Sequence, residues 1–298
     1  MIELTNISKS YGQVEALKGV SLKIPKGKLF GLIGPDGAGK TTLFRIITTL
    51  LIPDSGKATV FGKDTVKDFR SIRKFTGYMP GRFSLYPDLT VMENLNFYAT
   101  IFGTTVEKNY EIIRPVFSLL EPFRDRLAGR LSGGMKQKLA LCCALIHNPE
   151  ILVLDEPTTG VDAVSRKEFW ETLYLLRDNG MTILVSTPYM DEASKCDHVG
   201  LMQHGRVVRE DSPAAVLEGF KYPLLGVKTS NMPLVLNKLR DFDGVRRAYL
   251  FGRTIHVVLD MDRDENWLIK KAESEGLPEL RIFRIQPHFE DCFIEAVI

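Results

Sequence analysis

Apolar and polar positions along the chain separate into two kinds of periodicity. Short unbroken apolar runs at Leu29–Ile33, Ile151–Leu154 and Met181–Thr187 predict strands buried on both faces, as in a parallel sheet. Ile2–Ile7 and Val20–Ile24 alternate instead, predicting an antiparallel layer ahead of the first buried strand. Helical spacing follows in Thr41–Ile47, Thr90–Gly103, Asn109–Leu120, Leu131–His147 and Ser165–Asn179. Pro53-Asp54-Ser55-Gly56 reads as a turn before a short strand at Lys57–Gly62. Ser71–Pro80 then leads into an irregular loop at Gly81–Asp88. Thr90, with Glu93 three residues on, predicts a capping box. Val199–Met202 and Arg206–Val208 form a closing hairpin about His204-Gly205.

The pattern changes after about Gly219. Strand Leu224–Thr229, helix Met232–Arg240, hairpin strands Arg246–Phe251 and Thr254–Leu259, helix Glu265–Glu275 and strand Leu280–Ile285 give the order βαββαβ, with a last helix over Phe289–Val297. That order predicts a small ferredoxin-like α+β unit. The expected organisation is therefore an α/β domain over residues 1–218, with a helical insertion at about 78–135, and an accessory domain over 219–298. No catalytic constellation stands in the accessory domain, where His256 and His288 read as packing or surface residues.

At 298 residues the chain has room for one large and one small domain. With 44% hydrophobic and 26% charged residues it is an ordinary globular composition, and the net charge of +2 gives no reason to expect a nucleic-acid partner. No run approaches the ~18 apolar residues of a spanning helix, and Met1–Thr5 lacks a signal peptide's regions. The expected location is cytoplasmic, or peripheral to a membrane through a partner. The cysteines at 142, 143, 196 and 292 form no C-x-x-C and are expected to be buried free thiols.

Chemistry concentrates where the strands end. Gly34-Pro35-Asp36-Gly37-Ala38-Gly39-Lys40-Thr41-Thr42 fits G-x-x-x-x-G-K-[ST] between a buried strand and a helix. Its glycines let backbone N–H groups close around phosphates, Lys40 reaches the β- and γ-phosphates, and the Thr41 hydroxyl ligates Mg²⁺. The strand ending in Asp155-Glu156 places two carboxylates on the ligand-binding edge of the sheet, Asp155 for the metal shell and Glu156 for orienting a water. Ser132-Gly133-Gly134 opens a helix, where it serves as a cap or offers N–H groups to an anion. Tyr11, beside Gly12, either stacks on a planar base or packs. The apolar side chains from Leu85 to Phe102 exceed what a small insertion buries, which suggests a protein-docking surface.

These motifs, in this order, resemble the nucleotide-binding subunit of ATP-binding-cassette (ABC) transporters, most closely those of ABC-2-type bacterial multidrug exporters. The resemblance covers about residues 1–215, and Leu131-Ser132-Gly133-Gly134 is its distinguishing signature. The ending Pro287–Phe293 is similar to the Pro-x-x-Glu-Asp-x-Phe of such exporters. The resemblance implies ATP and Mg²⁺ as cofactors, integral-membrane permease subunits as partners, and a second cassette packed head to tail. In that arrangement Tyr11 stacks on adenine, Gly34 to Thr42 hold the phosphates, and Asp155 supports the metal. Glu156 polarises the attacking water. Leu131 to Gly134 face the ATP of the partner subunit, and Asp162 of the following loop links the two sites. Coupling helices of the permease enter beside the insertion. Two positions depart from the pattern. Gly81 stands where the family has Gln, and Pro188 where it has His. Loss of one such transition-state contact costs about 10²–10³ in rate. The expectation is a slow site of its own and a complete partner cassette; an ordinary homodimer is the alternative. A soluble ABC protein or an ATP-binding regulatory subunit is the other function class.

Overall fold

The computed structural model describes residues 1–277 and 280–297. They form two compact units, Met1–Pro213 and Ala214–Ala296.

In the first unit, strands β1 (Ile2–Tyr11), β2 (Val14–Ile24), β4 (Ser55–Val60) and β5 (Lys63–Asp64) make an antiparallel sheet in the order β2-β1-β4-β5. The segment from Ser10 to Leu17, expected to connect two short strands, is instead the tip of a long hairpin. Both strands continue to Tyr11 and Val14 and turn at Gly12, whose φ of +59° suits glycine. Ladder hydrogen bonds carry the exposed half of this ribbon, so apolar patterning does not reveal it.

The second sheet has the order β10-β9-β3-β8-β7-β6, from β3 (Leu29–Ile33), β6 (Thr76–Met79), β7 (Ile151–Asp155), β8 (Thr182–Thr187), β9 (His198–Gln203) and β10 (Arg206–Asp211). All its pairs are parallel except the β9–β10 hairpin. Every residue of β3, β7 and β8 is buried, which explains their unbroken apolar runs. The stretch expected merely to lead into a loop contains helix α2 (Phe69–Lys74) and the edge strand β6. A Cβ on Gly77 of β6 would lie 2.3 Å from the Ala144 carbonyl oxygen, so helix packing requires glycine there and the strand signal is lost.

Helix α1 (Lys40–Ile47) and the antiparallel sheet close one core, in which Ile2, Ile7, Leu22, Phe30, Phe44 and Val153 are buried together. The insertion carries α3 (Val91–Ile101), α4 (Tyr110–Phe117) and α5 (Gly133–Leu145). Thr90 caps α3 reciprocally: its hydroxyl accepts the Glu93 N–H at 3.2 Å and its own N–H donates to the Glu93 carboxylate at 2.8 Å. Helix α4 ends before the expected Leu120, following Pro115, which supplies no N–H to the ladder. Helix α6 (Ala163–Asp178) connects β7 to β8.

The second unit opens with the short helix α7 (Pro213–Glu218), which apolar spacing did not reveal. It then runs β11 (Leu224–Lys228), α8 (Met232–Arg240), β12 (Val245–Phe251), β13 (Thr254–Leu259), α9 (Glu265–Ser274), β14 (Arg281–Arg284) and α10 (Phe289–Val297). Its antiparallel sheet has the order β12-β13-β11-β14, the βαββαβ arrangement. Val227, Val235, Leu239, Val257 and Leu268 fill its core. Asp291 of α10, fully buried, accepts from Tyr249 Oη, from His256 Nδ1 at 2.7 Å and from the His288 N–H at 2.6 Å. All four cysteines are buried, and none forms a disulfide among the described residues.

Candidate nucleotide site

Sheet register decides what meets at the site. Ile33 of β3 is level with Thr187 of β8, Asp155 of β7 with Ser186, and Met79 of β6 with Leu154. The loops bearing Gly34, Pro188, Glu156 and Gly81 therefore leave one carboxyl edge side by side, the edge on which α/β sheets bind ligands.

The loop from Gly34 to Gly39 is tightly seated. A Cβ at Gly34 would lie 2.1 Å from the Met202 carbonyl oxygen, and one at Gly39, where φ is +107°, 2.5 Å from that of Ala16. Side chains are thus excluded on both flanks of the turn. Gly37, at φ +77°, has open space around it, and the Gly34 N–H donates to Thr187 O at 3.2 Å. Lys40 begins α1 and is only 3% exposed. Its ammonium donates to Gly34 O at 2.7 Å and Pro35 O at 3.0 Å, and stands 3.2 Å from Glu156 Oε1. Three oxygens thus satisfy a cation that would be costly to bury unpaired. Gly37 to Thr42, Ala16, Glu156 and the half-exposed Tyr11 line a cleft of ≈ 240 Å³; the exposed Pro35 and Asp36 are not part of that lining.

Asp155 is buried and accepts the Ser186 hydroxyl at 2.6 Å. Glu156 has φ +49°, unusual for a non-glycine residue, and its N–H donates to Ser186 O at 3.1 Å and Ser186 Oγ at 3.0 Å. This turn directs the Glu156 side chain toward Lys40. A Cβ on Gly81 would lie 3.1 Å from Asp155 O and 3.8 Å from its Oδ2, so Gly81 abuts the carboxylate. Pro188 follows Thr187, whose hydroxyl accepts the Tyr189 N–H at 3.0 Å. Burial first, and the Asp155 charge next, push the Tyr78 phenol up to about 12, so it stays neutral beside this edge.

Leu131, Ser132, Gly133 and Gly134 do not line this cleft. Leu131 is buried, and Ser132 caps α5 by accepting the Met135 N–H at 3.4 Å. Gly133 packs on the loop after Glu156 and Gly134 on the first turn of α6: added Cβ atoms would stand 3.3 Å from Gly160 O and 2.5 Å from Ser165 Oγ. Asp162 caps α6, its Oδ1 accepting from Val164 and Ser165 N–H groups at 3.2 and 3.0 Å. Those bonds, Ser165 foremost, hold its carboxyl below the usual range. Ser186 and Thr158, which anchor this edge, escaped sequence reasoning because a lone hydroxyl in a strand or turn carries no local signal.

A parallel sheet, a glycine loop opening a helix on Lys40, and paired carboxylates on the neighbouring edge define a P-loop nucleotide-binding ATPase. The family described as "ABC transporter" matches residues 17–159. The chain is 39% identical over 304 residues to the probable multidrug ABC transporter ATP-binding protein YbhF of Escherichia coli (strain K12), covering all of this chain and 52% of that protein. It thus spans about half the length of that relative. It is 35% identical over 297 residues to the Nod factor export ATP-binding protein I of Rhizobium sp. (strain N33), covering 98% of this chain and 95% of that one. The dimeric, post-hydrolysis ATP-binding cassette MJ0796 bound to ADP and Pi superimposes with a TM-score of 0.65 at 29% identity, covering 71% of this chain and 98% of that structure. An ATP-binding subunit of an ABC transporter gives 0.67 at 27%, covering 74% and 93%. The chain belongs to the ABC transporter ATP-binding family, a family of ATPases.

Proposed function

We propose that this chain is the ATP-binding and ATP-hydrolysing subunit of an ABC exporter, peripheral on the cytoplasmic face of a membrane through permease subunits. The carrying observation is that the Ser132–Gly134 signature caps a helix away from the cleft around Lys40, so it has no nucleotide to bind within its own chain. A second cassette, packed head to tail, supplies that nucleotide. Relatives named for multidrug and Nod factor export support the direction of transport. An apolar cavity of ≈ 390 Å³ beside the insertion, lined by Leu50, Leu85, Tyr98, Ile101 and Phe102 among others, supports docking of a permease segment there.

ATP fits the site on its own geometry: Gly34 and Gly39 let the loop seat against Met202 and Ala16, Gly37 leaves the cleft side open, and the Lys40 cation is buried at the cleft. Lys40 and the first-turn N–H groups of α1 bind the phosphates. Tyr11 stacks on the base. Asp155 and the Thr41 hydroxyl form an oxygen donor set suited to Mg²⁺, which, when bound, neutralises phosphate charge. Glu156 takes a proton from the attacking water after the nucleotide draws Lys40 away from it. Asp162, beside Gly134 at the head of α6, links this site to the partner's.

Gly81 and Pro188 bring no side-chain donor to the phosphate edge. Turnover in this cleft is therefore slow, and the intact signature serves a faster site on a different, complete cassette. The test is ATPase of the transporter purified with its membrane partners. Glu156→Gln lowers it less than Gly134→Asp, with thermal melting confirming that both fold. Equal losses, or brisk hydrolysis by the purified homodimer, refute the asymmetry.

A further inference from the structure

Two segments frame the phosphate end of the cleft, the loop from Glu156 to Asp162 and the stretch from Thr187 to Glu192, and one carboxylate bolts them together. Glu192 lies in the 3₁₀ turn Met190–Lys195 and is fully buried. Its two oxygens accept the Thr158 hydroxyl at 2.9 and 3.1 Å. Oε1 also accepts the Trp170 indole N–H at 2.9 Å and faces Arg166 Nε at 3.1 Å. The Arg166 guanidinium in turn lies 4.2 Å over the Tyr189 ring and 3.6 Å from Asp191. The buried carboxylate thus has two hydrogen-bond donors and a cation beside it, although Arg166 Nε itself makes no hydrogen bond, and such a network ties together the segments it joins.

What it joins matters for Glu156. That residue's φ of +49° is sparsely populated for a side-chain-bearing residue and persists only where the surroundings over-determine it. Ser186 holds the turn from the strand side, through the Glu156 N–H. Thr158, two residues on and itself buried, holds it from the other side, and its side-chain partner is Glu192. On its own segment the Glu192 N–H donates to Tyr189 O at 3.2 Å, immediately after Pro188. With Gly81 and Pro188 offering no side-chain contact, Lys40 meets the Glu156 carboxylate, and this backbone brace sets the turn that aims it.

We propose that Glu192 is a positioning residue for ATP hydrolysis, acting through Thr158 to hold the Glu156 turn in register with the Pro188 segment. The inference rests on the reading that Glu156 activates water in this cleft. Thr158 and Trp170 donate to the same carboxylate, but only Thr158 belongs to the Glu156 turn, so they separate positioning from general packing. In the transporter purified with its partners and with the second cassette's own site inactivated, so that only this cleft turns over, Thr158→Val lowers kcat tenfold or more with KM for ATP within twofold, and speeds amide hydrogen exchange over residues 156–162. Trp170→Phe lowers the melting temperature at least as much yet leaves kcat within twofold. Glu192→Gln, which keeps shape but loses charge, follows Thr158→Val. Equal kcat losses from Thr158→Val and Trp170→Phe, or no loss from either, overturn the proposal. If Glu156→Gln lowers turnover while Thr158→Val does not, the brace alone falls. If Glu156→Gln leaves turnover unchanged, the role of Glu156 falls and the brace with it.

Discussion

Replacing Gly134 by alanine sets two opposing effects against each other. Gly134 is the second residue of α5 and has ordinary helical backbone, so alanine gains up to about 1 kcal/mol of helix propensity. The added Cβ, however, would sit 2.5 Å from Ser165 Oγ and 2.7 Å from Ser165 Cβ. A rotamer change can move the hydroxyl, but Cβ moves only with the α6 backbone, so α5 and α6 must separate. With two contacts under 3 Å, one of them to a Cβ, the overpacking falls in the upper part of the usual range, about 2–3 kcal/mol, and outweighs the propensity gain, leaving a net loss of about 1–2 kcal/mol. In a unit of this size that lowers the melting temperature by about 2–8 °C. Asp162 Oδ2 would be 3.7 Å from the same atom, an ordinary contact, and moves with the head of α6. The assay is urea and thermal unfolding of Gly134→Ala, alone and combined with Ser165→Gly or Ser165→Ala. Ser165→Gly removes both offending atoms and restores most of the loss, a coupling of about 1 kcal/mol or more between contacting residues. Ser165→Ala leaves Cβ in place and restores less. If Gly134→Ala is as stable as the parent, or Ser165→Gly restores nothing, the close α5–α6 approach is wrong.

Thr90→Ala removes the hydroxyl half of the α3 capping box and costs about 1 kcal/mol, seen as a lower urea midpoint and faster exchange in the first turn of α3; an unchanged midpoint would falsify the cap's contribution. At Asp291, burial raises the carboxyl pKa, but hydrogen bonds from His256, Tyr249 and the His288 N–H outweigh it and hold the group below its ordinary 3.8. The folded state thus keeps the charge while the unfolded chain takes up protons first. This contribution to the second unit's stability is complete well above pH 4 and is lost as pH falls through the folded value. Asp291→Asn removes a charged hydrogen-bond acceptor at a cost of about 1.5–3 kcal/mol near neutrality. It also flattens the acid limb of the unfolding profile, and an unchanged limb would remove Asp291 as its source.

Features that act through near neighbours were legible in the sequence. Phosphate binding at Gly34 to Thr42 depends on glycine torsions and one helix start, all within nine residues, so the motif states its own geometry. The Thr90/Glu93 box is equally local. The βαββαβ order of the tail followed from turn residues and alternation, and its strand pairing conforms to that order. Edge strand β6 was not legible, because Gly77 answers to Ala144 in a distant helix rather than to its own strand. The outer half of the β1–β2 hairpin was hidden for a related reason: exposed ladder residues leave no apolar pattern.

By itself, then, the amino-acid order determined a P-loop, an acidic strand end and a capped signature helix, each a short-range arrangement with short-range physical causes. Tertiary structure decided which of them meet. Parallel register brings Ile33, Thr187, Asp155 and Met79 to one edge although they lie far apart in the chain, and so sets Gly81 and Pro188 around the same carboxylates. It also buries Glu192 against Thr158 and packs Gly134 on Ser165. Those contacts arise from backbone pairing and close packing over long sequence separations, where no local periodicity records them.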